Sequence, residues 1–386
     1  MITIRKLGIL VGHPIQYYTP LFRELTSRMD VHVLYGQLAD QAQQAAAGFG
    51  VGFEWDIDLM SGYASTVLNN VSQTPDVAAF NGCDVPTMTA DLARLNLDSL
   101  LVFGWYQKVF LQGIWAAKRL GIPVMVRGDS QLGTPGRALK RLVKNAVYPP
   151  LLRFFDAALY VGEHSRAYYT HFGYPQNRLF FSPHCIDTER FAGQATDVAR
   201  NERRAALGVL PDTPLILFAG KLVSFKRPLD VIRATARLRA SGSLAEVVIA
   251  GAGPLQHEVE AEAAKLGVPL YCLGFCNQSE MPSIYAAADV LVLPSSRETW
   301  GLVCNEALAS GTPIVVSDVC GCAPDLASDG NVGRVFRLGD ITDLANCLAN
   351  GLASRPSKEE IRSLSDTYSV SRAADGVAAA LARLAG

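Results

Sequence analysis

Short runs that are apolar almost throughout recur along this chain with helix-length segments between them, and that rhythm leaves few folds open. In the first half the runs are Leu7-Gly-Ile-Leu-Val11, Val31-His-Val-Leu-Tyr35, Ser99-Leu-Leu-Val-Phe103, Pro123-Val-Met-Val126 and Ala157-Ala-Leu-Tyr-Val161. In the second half they are Leu215-Ile-Leu-Phe-Ala219, Glu246-Val-Val-Ile-Ala250, Val290-Leu-Val-Leu293 and Pro313-Ile-Val-Val316. A strand covered on one face alternates apolar and polar residues, whereas one that is apolar throughout is covered on both, as in a parallel sheet flanked by helices. Helices are expected between the runs, among them Leu229–Ala240 and Leu255–Leu266. The class is therefore α/β, with two doubly wound parallel-sheet units in tandem.

Length agrees, because 386 residues is more than one ordinary domain and suits two of roughly 150–200 residues. With 49% hydrophobic and 18% charged residues there is ample material for two buried cores. The formal net charge of −1 supplies no general attraction to nucleic acid, and none is expected as a partner. No apolar run reaches the roughly 18 residues of a membrane-spanning helix. The opening Met1-Ile-Thr-Ile-Arg-Lys6 runs into a strand without a signal-peptide pattern. Cys272/Cys276 and Cys320/Cys322 are close pairs, but neither belongs to a zinc-type set. Reduced, mostly buried thiols in a cytoplasmic protein, with no metal, are the expectation.

The chemistry concentrates in the second half. Strand Leu215–Ala219 runs into Gly220-Lys221-Leu-Val-Ser-Phe-Lys226-Arg-Pro, which places two cations just beyond a strand end. Val248-Ile-Ala-Gly251-Ala-Gly253-Pro enters a helix through two glycines, which suit a tight turn and close backbone approach. It lacks the third glycine and the later acid of a dinucleotide fingerprint. Leu273-Gly274-Phe275 follows a further short strand. After Val290-Leu-Val-Leu-Pro294 comes Glu298-Thr-Trp-Gly-Leu-Val-Cys-Asn-Glu306, and then Gly311-Thr-Pro313. This order puts carboxylates, loop amides and cations at the carboxyl end of a parallel sheet, where α/β folds take ligands.

The ordered set Gly220/Lys221, Lys226, Gly251/Gly253, Gly274, Pro294-Ser295, Glu298, Gly301, Glu306 and Gly311/Pro313 resembles the E-x7-E pattern of the retaining GT-B glycosyltransferases of the group 1, or family 4, class. The likeness covers about residues 160–345 well and the first half in outline. It implies two Rossmann-like domains facing across a cleft, 1–190 on the acceptor side and 191–369 holding the nucleotide sugar. The tail 370–386 would be a helix returning to the first domain, and the polar stretch from Gly193 to Leu207 reads as the crossing between them. By position, Lys221 (arginine in the family) and Lys226 grip the donor diphosphate, and Lys226 takes a catalytic role as the leaving group gains charge. Glu298, the other catalytic candidate here, accepts from hydroxyls of the donor sugar. Backbone amides of Thr299, Trp300, Gly301, Leu302 and Val303 meet sugar and phosphate. Glu306 holds the ribose diol, for which a carboxylate is suited because it accepts without donating. Gly220, Gly251, Gly253, Gly274 and Phe275 complete the nucleotide side, with Gly274-Phe275 meeting the base through backbone groups.

In the first half Gly12-His13-Pro-Ile-Gln16-Tyr-Tyr18 follows the first strand, with Gly12 turning near the donor phosphates and His13 a catalytic or sugar-contacting candidate. Many relatives carry a histidine after the strand that here ends at Val126. This chain reads Arg127-Gly-Asp129-Ser instead, so Arg127 and Asp129 become acceptor-side candidates, with a structural ion pair as the alternative. His164 is a further, weaker candidate. Segment 137–153 carries five cations and no acid among leucine, valine and tyrosine. It suits peripheral contact with an anionic membrane as well as it suits a solvated helix face. Asp56-Ile-Asp58 spells a metal-binding D-x-D but lies outside the second-half site. The implied activity is metal-independent, retaining transfer of a sugar from a nucleotide-diphosphate donor, with UDP favoured, to a sugar or lipid-linked sugar acceptor. Cell-surface polysaccharide or glycolipid assembly is the expected setting. The nucleotide sugar is a substrate, and no cofactor is expected. A non-catalytic nucleotide-sugar scaffold, a sugar-nucleotide epimerase of the same fold and a Rossmann oxidoreductase remain open alternatives.

Overall fold

The computed structural model describes residues 6–39, 52–132, 138–354 and 356–385, leaving aside the side chains of 138–143. The opening residues 1–5 and Arg137 therefore lie outside the described residues. The chain divides into two compact units. One comprises Met1–Gln43, Asp58–Cys185 and Val370–Gly386, and the other comprises Gln44–Ile57 and Ile186–Ser369.

The first unit is built on seven parallel strands: β1 (Leu7–Val11), β2 (Val31–Tyr35), β3 (Ala64–Val67), β4 (Ser99–Val102), β5 (Val124–Gly128), β6 (Ala157–Tyr160) and β7 (Leu179–Phe181), in the order β3-β2-β1-β4-β5-β6-β7. Every residue of β1 is buried, as a central strand covered on both faces must be. Its side chains divide by period two. Leu10 joins Leu34, Val102 and Val126 in the core beneath the helices Met88–Leu95 and Lys108–Arg119. Ile9 and Val11 join Val33, Leu101 and Met125 on the other face, under the helices Thr19–Arg28 and Val370–Ala385.

The second unit has six parallel strands: β8 (Leu215–Ala219), β9 (Glu246–Ala250), β10 (Leu270–Cys272), β11 (Val290–Leu293), β12 (Ile314–Ser317) and β13 (Gly333–Phe336), in the order β10-β9-β8-β11-β12-β13. Each sheet reverses its winding once, between β1 and β4 and between β8 and β11. The loops at those strands' carboxyl ends splay apart and leave room for a ligand.

Three features depart from the sequence reading. Strand β3 is polar and largely exposed, so no apolar run marks it. The stretch expected as a crossing is the helix Asp197–Leu207, an integral part of the second unit. Its arginines are spent on the neighbouring helix Met281–Ala287. Arg200 Nη1 donates to Ala286 O (2.8 Å), Arg204 Nη1 to Ala287 O (2.7 Å), and Arg200 Nη2 to Asp289 Oδ1 (2.6 Å). Carbonyls left over at a helix end are satisfied in this way, and cations there also suit its dipole. A row of arginines that looks solvated in the sequence is therefore a cap. Lastly, residues 52–57 belong with the second unit although they precede most of the first in sequence.

The tail helix Val370–Ala385 lies in the first unit and presents small residues, Ala373, Ala374, Gly376, Val377 and Ala380, to its core. Ser182 Oγ donates to Ala373 O (2.9 Å), and a Cβ on Gly376 would stand 1.9 Å from Phe181 O. Alanine normally improves on glycine inside a helix by about 1 kcal/mol. At Gly376 the sign is expected to reverse. Gly376→Ala should destabilise the first unit by about 1–3 kcal/mol, visible as a Tm several degrees lower in thermal unfolding. A Tm equal to or above the parent's would refute this packing.

Candidate functional site

Beyond β8 the chain turns through Gly220 (φ +148°) and lies against the segment leaving β9. Gly220 N donates to Ala250 O (2.9 Å), Leu222 N to Ala252 O (2.9 Å) and Leu255 N to Leu222 O (3.0 Å). A Cβ on Gly251 would sit 1.9 Å from Gly220 O, and one on Gly253 would sit 2.6 Å from Leu222 O. Both glycines have φ +156°, so crowding and backbone conformation each exclude a side chain. Gly251 N also donates to Gly274 O (2.7 Å), which brings the loop after β10 into the same platform.

Residues 224–226 form one 3-10 turn that carries Lys226 upward. Ser296 N donates to Phe225 O (2.7 Å), joining this turn to the loop after β11. Lys226 Nζ forms an ion pair and hydrogen bond with Glu298 Oε2, with 17% of each side chain exposed. Ser295 Oγ donates to the same carboxylate at 3.4 Å. Lys221 stands nearby, and burial first, then the charge of Lys226, pushes its ammonium below the ordinary value of 10.5.

The segment 298–301 is pinned from below. Gly321 N donates to Glu298 O (3.0 Å) and Cys322 N to Trp300 O (3.1 Å), while a Cβ on Gly321 would fall 1.8 Å from Thr299 O. The Trp300 side chain points inward, 3% exposed, and its Nε1 donates to Asn305 Oδ1 (2.8 Å). Gly301 (φ +108°) opens the helix Leu302–Ala309, whose first amides, Leu302 and Val303, have no acceptor within the helix. One turn on, Glu306 is 1% exposed and accepts from Tyr285 OH (2.7 Å) and Gln278 Nε2 (3.4 Å). Gln278 is itself gripped by Arg190, which donates to its backbone and side-chain oxygens at 2.8 Å each.

Residues 52–57 lie beside Gly274-Phe275. The Phe53 ring stacks on Phe275 at 4.2 Å, and Asn277 Nδ2 donates to Glu54 O (2.7 Å). Asp56 accepts from the Ser279 amide (3.2 Å) and hydroxyl. Asp58, the other acid of the D-x-D, accepts from the amides of Met60 and Ser61 at 2.9 and 3.1 Å. Both carboxylates serve the chain itself.

Gly220, Lys221, Lys226, Gly251, Gly253, Gly274, Phe275, Glu298 to Val303 and Glu306 thus all come to the carboxyl ends of β8 to β11. Gly12, His13, Arg127 and Asp129 lie in the first unit at the corresponding ends of β1 and β5. Burial lowers the pKa of His13, leaving it neutral at neutral pH. Arg127 is 3% exposed and does not pair with Asp129: its Nε donates to Ser182 Oγ (3.2 Å) and its Nη2 to Pro183 O (2.6 Å). Asp129 faces His184 instead, at 3.8 Å. His184 escaped the sequence reading because it follows β7, a strand of three residues that are only partly buried. Gln278 and Arg190 escaped it because nothing in their spacing ties them to Glu306.

The sequence pattern of the family described as Glycosyl transferases group 1 matches residues 199–364, the stretch that carries this site. Those 166 residues are similar to that family, and they make up less than half of the chain. Over part of its length the chain is similar to known proteins. A D-inositol 3-phosphate glycosyltransferase of Corynebacterium aurimucosum is 35% identical over 190 residues, 47% of this chain and 44% of that protein. An alpha-D-kanosaminyltransferase of Streptomyces kanamyceticus is 30% identical over 200 residues, 50% of this chain and 51% of that one. The chain thus spans about half the length of these curated relatives. Across the whole chain, the Anabaena protein Alr3699/HepE, solved in complex with UDP, superposes with a TM-score of 0.74 over 98% of this chain and 99% of its own, at 16% identity. That likeness is one of fold, and the fold is GT-B.

Lys221 gives a testable consequence. Its pKa is lowered on folding, so the protonated form costs stability below the folded value, and the cost fades as pH rises from that value toward 10.5. Lys221→Met is expected to unfold at or above the parent Tm at pH 7, with the difference narrowing through that alkaline window. A Tm clearly below the parent at pH 7 would show the lysine to be a structural group.

Proposed function

We propose that this protein transfers a sugar from a nucleoside diphosphate donor to an acceptor hydroxyl with retention and without a metal. The observation that carries the proposal is the pairing of Lys226 with Glu298 beside Lys221, on a platform of glycines through which a diphosphate can approach the backbone. The ion pair keeps two charges of the site mutually satisfied while no ligand is bound. A donor diphosphate offers Lys226 a stronger partner, and Glu298 is then released to accept from the sugar's hydroxyls.

In the reaction the bond between the anomeric carbon and the diphosphate oxygen breaks, and the acceptor oxygen bonds to that carbon on the same face. The acceptor's proton passes to the departing phosphate oxygen. Negative charge grows on the leaving group, where Lys226, Lys221 and the amides of Leu302 and Val303 stabilise it most in the transition state. Glu306 serves the ribose. Both of its oxygens already accept from protein donors, yet an ionised carboxylate has about four acceptor positions, so a ribose hydroxyl shares it without displacing Tyr285. UDP is the favoured nucleotide, supported by the UDP held by the Anabaena protein of like fold. The acceptor is a sugar or lipid-linked sugar of cell-surface polysaccharide or glycolipid assembly, at the cytoplasmic face. Segment 137–153, with Lys144 and Arg153, is the candidate for contact with an anionic membrane there.

Two expectations follow. Lys226→Ala should lower kcat by about 10²–10³, as loss of one preorganised donor to a developing anion does, while UDP still protects the protein against heat. Turnover within threefold of the parent would remove Lys226 from the mechanism. Tyr285→Phe keeps the ring in place but deletes the bond to Glu306. UDP should lose about tenfold in affinity, the size of one charge-assisted hydrogen bond, while 2′-deoxy-UDP loses little. Equal loss for both nucleotides would show that Tyr285 supports only the fold.

A further inference from the structure

Asp56 and Asp58 are two residues apart but do separate work. Asp58 lies in the first unit and accepts from the amides of Met60 and Ser61, which closes a local turn. Asp56 lies in the second unit, in the segment 53–56 that runs against the loop leaving β10. β10 is the last strand of its sheet, so among the described residues no further strand steadies that loop from outside. Segment 53–56 does so instead.

Its grip falls on both sides of one residue. Asp56 accepts from the Ser279 amide (3.2 Å) and hydroxyl, and Asn277 Nδ2 donates to Glu54 O (2.7 Å). The Phe53 ring stacks on Phe275, and Trp55 meets Phe53 edge-on at 4.9 Å. Gln278, between Asn277 and Ser279, has one workable amide orientation. Its Oε1 accepts from Arg190 Nη2 (2.8 Å), and a guanidinium can only donate. Its Nε2 therefore faces Glu306 Oε1 (3.4 Å), and an ionised carboxylate can only accept. At that length the bond is close to the limit of what counts as one, so a small displacement of 277–279 would break it.

We propose that Asp56 is a positioning residue for nucleotide recognition. By holding Ser279 while Glu54 holds Asn277, it keeps Gln278 against Glu306 and so keeps that carboxylate set for the ribose. Asp56 acts through Gln278 and not by contact with the ligand. A carboxylate left free to turn must be ordered when the ligand binds, and that cost appears as lost affinity. The inference rests on the transferase reading above, in which Glu306 serves the ribose.

The test is calorimetric titration of the full chain, without metal, with UDP, GDP and ADP and with their 2′-deoxy counterparts. For the nucleoside diphosphate that binds most tightly, the parent should prefer the ribose form. Asp56→Ala should weaken the ribose form about threefold or more, within the coupling found in one hydrogen-bonded network, and the 2′-deoxy form little. Asp56→Asn keeps one oxygen for Ser279 and should retain most of the preference. Gln278→Met removes the donor to Glu306, and adding Asp56→Ala to it should lower the preference no further. If Asp56→Ala does not fold, Ser279→Ala, which deletes only the hydroxyl bond to Asp56, takes its place with the same outcomes. Unchanged affinity for the ribose form, equal weakening of both forms, or an undiminished effect of Asp56→Ala in the Gln278→Met background each overturns the proposal. Equal weakening is what a merely structural aspartate would give. A parent that shows the preference while Asp56→Ala leaves it intact loses the role of Asp56 alone. A parent that binds a nucleoside diphosphate without the preference loses the assignment of Glu306 to the ribose, and this inference with it. One that binds none loses the transferase reading.

Discussion

The second unit depends on one place where two backbones run too close together for any side chain. Gly251 and Gly253 lie against Gly220 and Leu222, with the carbonyls of those residues standing where Cβ atoms would be. The loops leaving β8 and β9 are thereby bonded into a single surface, which the Gly251–Gly274 hydrogen bond extends to β10. Lys221 and Lys226 stand on that surface rather than on free loops. The diphosphate site proposed above would need this, because preorganised charges act without reorganising during a reaction. The glycines look like a poor dinucleotide fingerprint because they serve the packing of one loop on another.

On this platform the charges are arranged at some expense to the fold. Lys221 is partly buried next to a second ammonium, and both effects disfavour its protonated form. Lys226 pairs with Glu298. Two cations and one acid thus share a small volume, the arrangement on which the proposed diphosphate site rests. Glu306 is handled differently. Buried and bonded by Tyr285 and Gln278, it is fixed before any ligand arrives, which suits a group that reads a diol's position more than one that responds to charge.

How far the sequence carries depends on which interactions are local. The strands Leu7–Val11, Val31–Tyr35, Leu215–Ala219 and Glu246–Ala250 were legible to the residue, because covering both faces of a parallel strand forces an uninterrupted apolar run. That Gly220, Lys226, Gly251, Glu298 and Glu306 come together was legible too, since they fall after the ends of neighbouring strands in a fixed order. Edge elements were not: β3 is polar and exposed, and β7 and β10 are three residues long. Side-chain partners across distant segments were equally hidden. Arg127 and Asp129 are two residues apart, yet Arg127 bonds to Ser182 and Pro183 while Asp129 faces His184. The helix Asp197–Leu207 read as a crossing because the carbonyls its arginines cap lie some eighty residues further along the chain.

The pairing of Asp129 with His184 also bears on the histidine expected after β5. A parallel sheet presents the ends of all its strands along one edge, so a group needed there can arrive from any of them. In this chain β5 supplies an arginine that turns inward and an acid that stays accessible, and the loop after β7 supplies the imidazole. Arg127 then works as a strut. By bonding to Ser182 Oγ and Pro183 O it fixes the segment that delivers His184, and Ser182 in turn donates to Ala373 of the tail helix. The position of the imidazole therefore rests on the final helix of the chain, almost two hundred residues away, and no local motif could have encoded it.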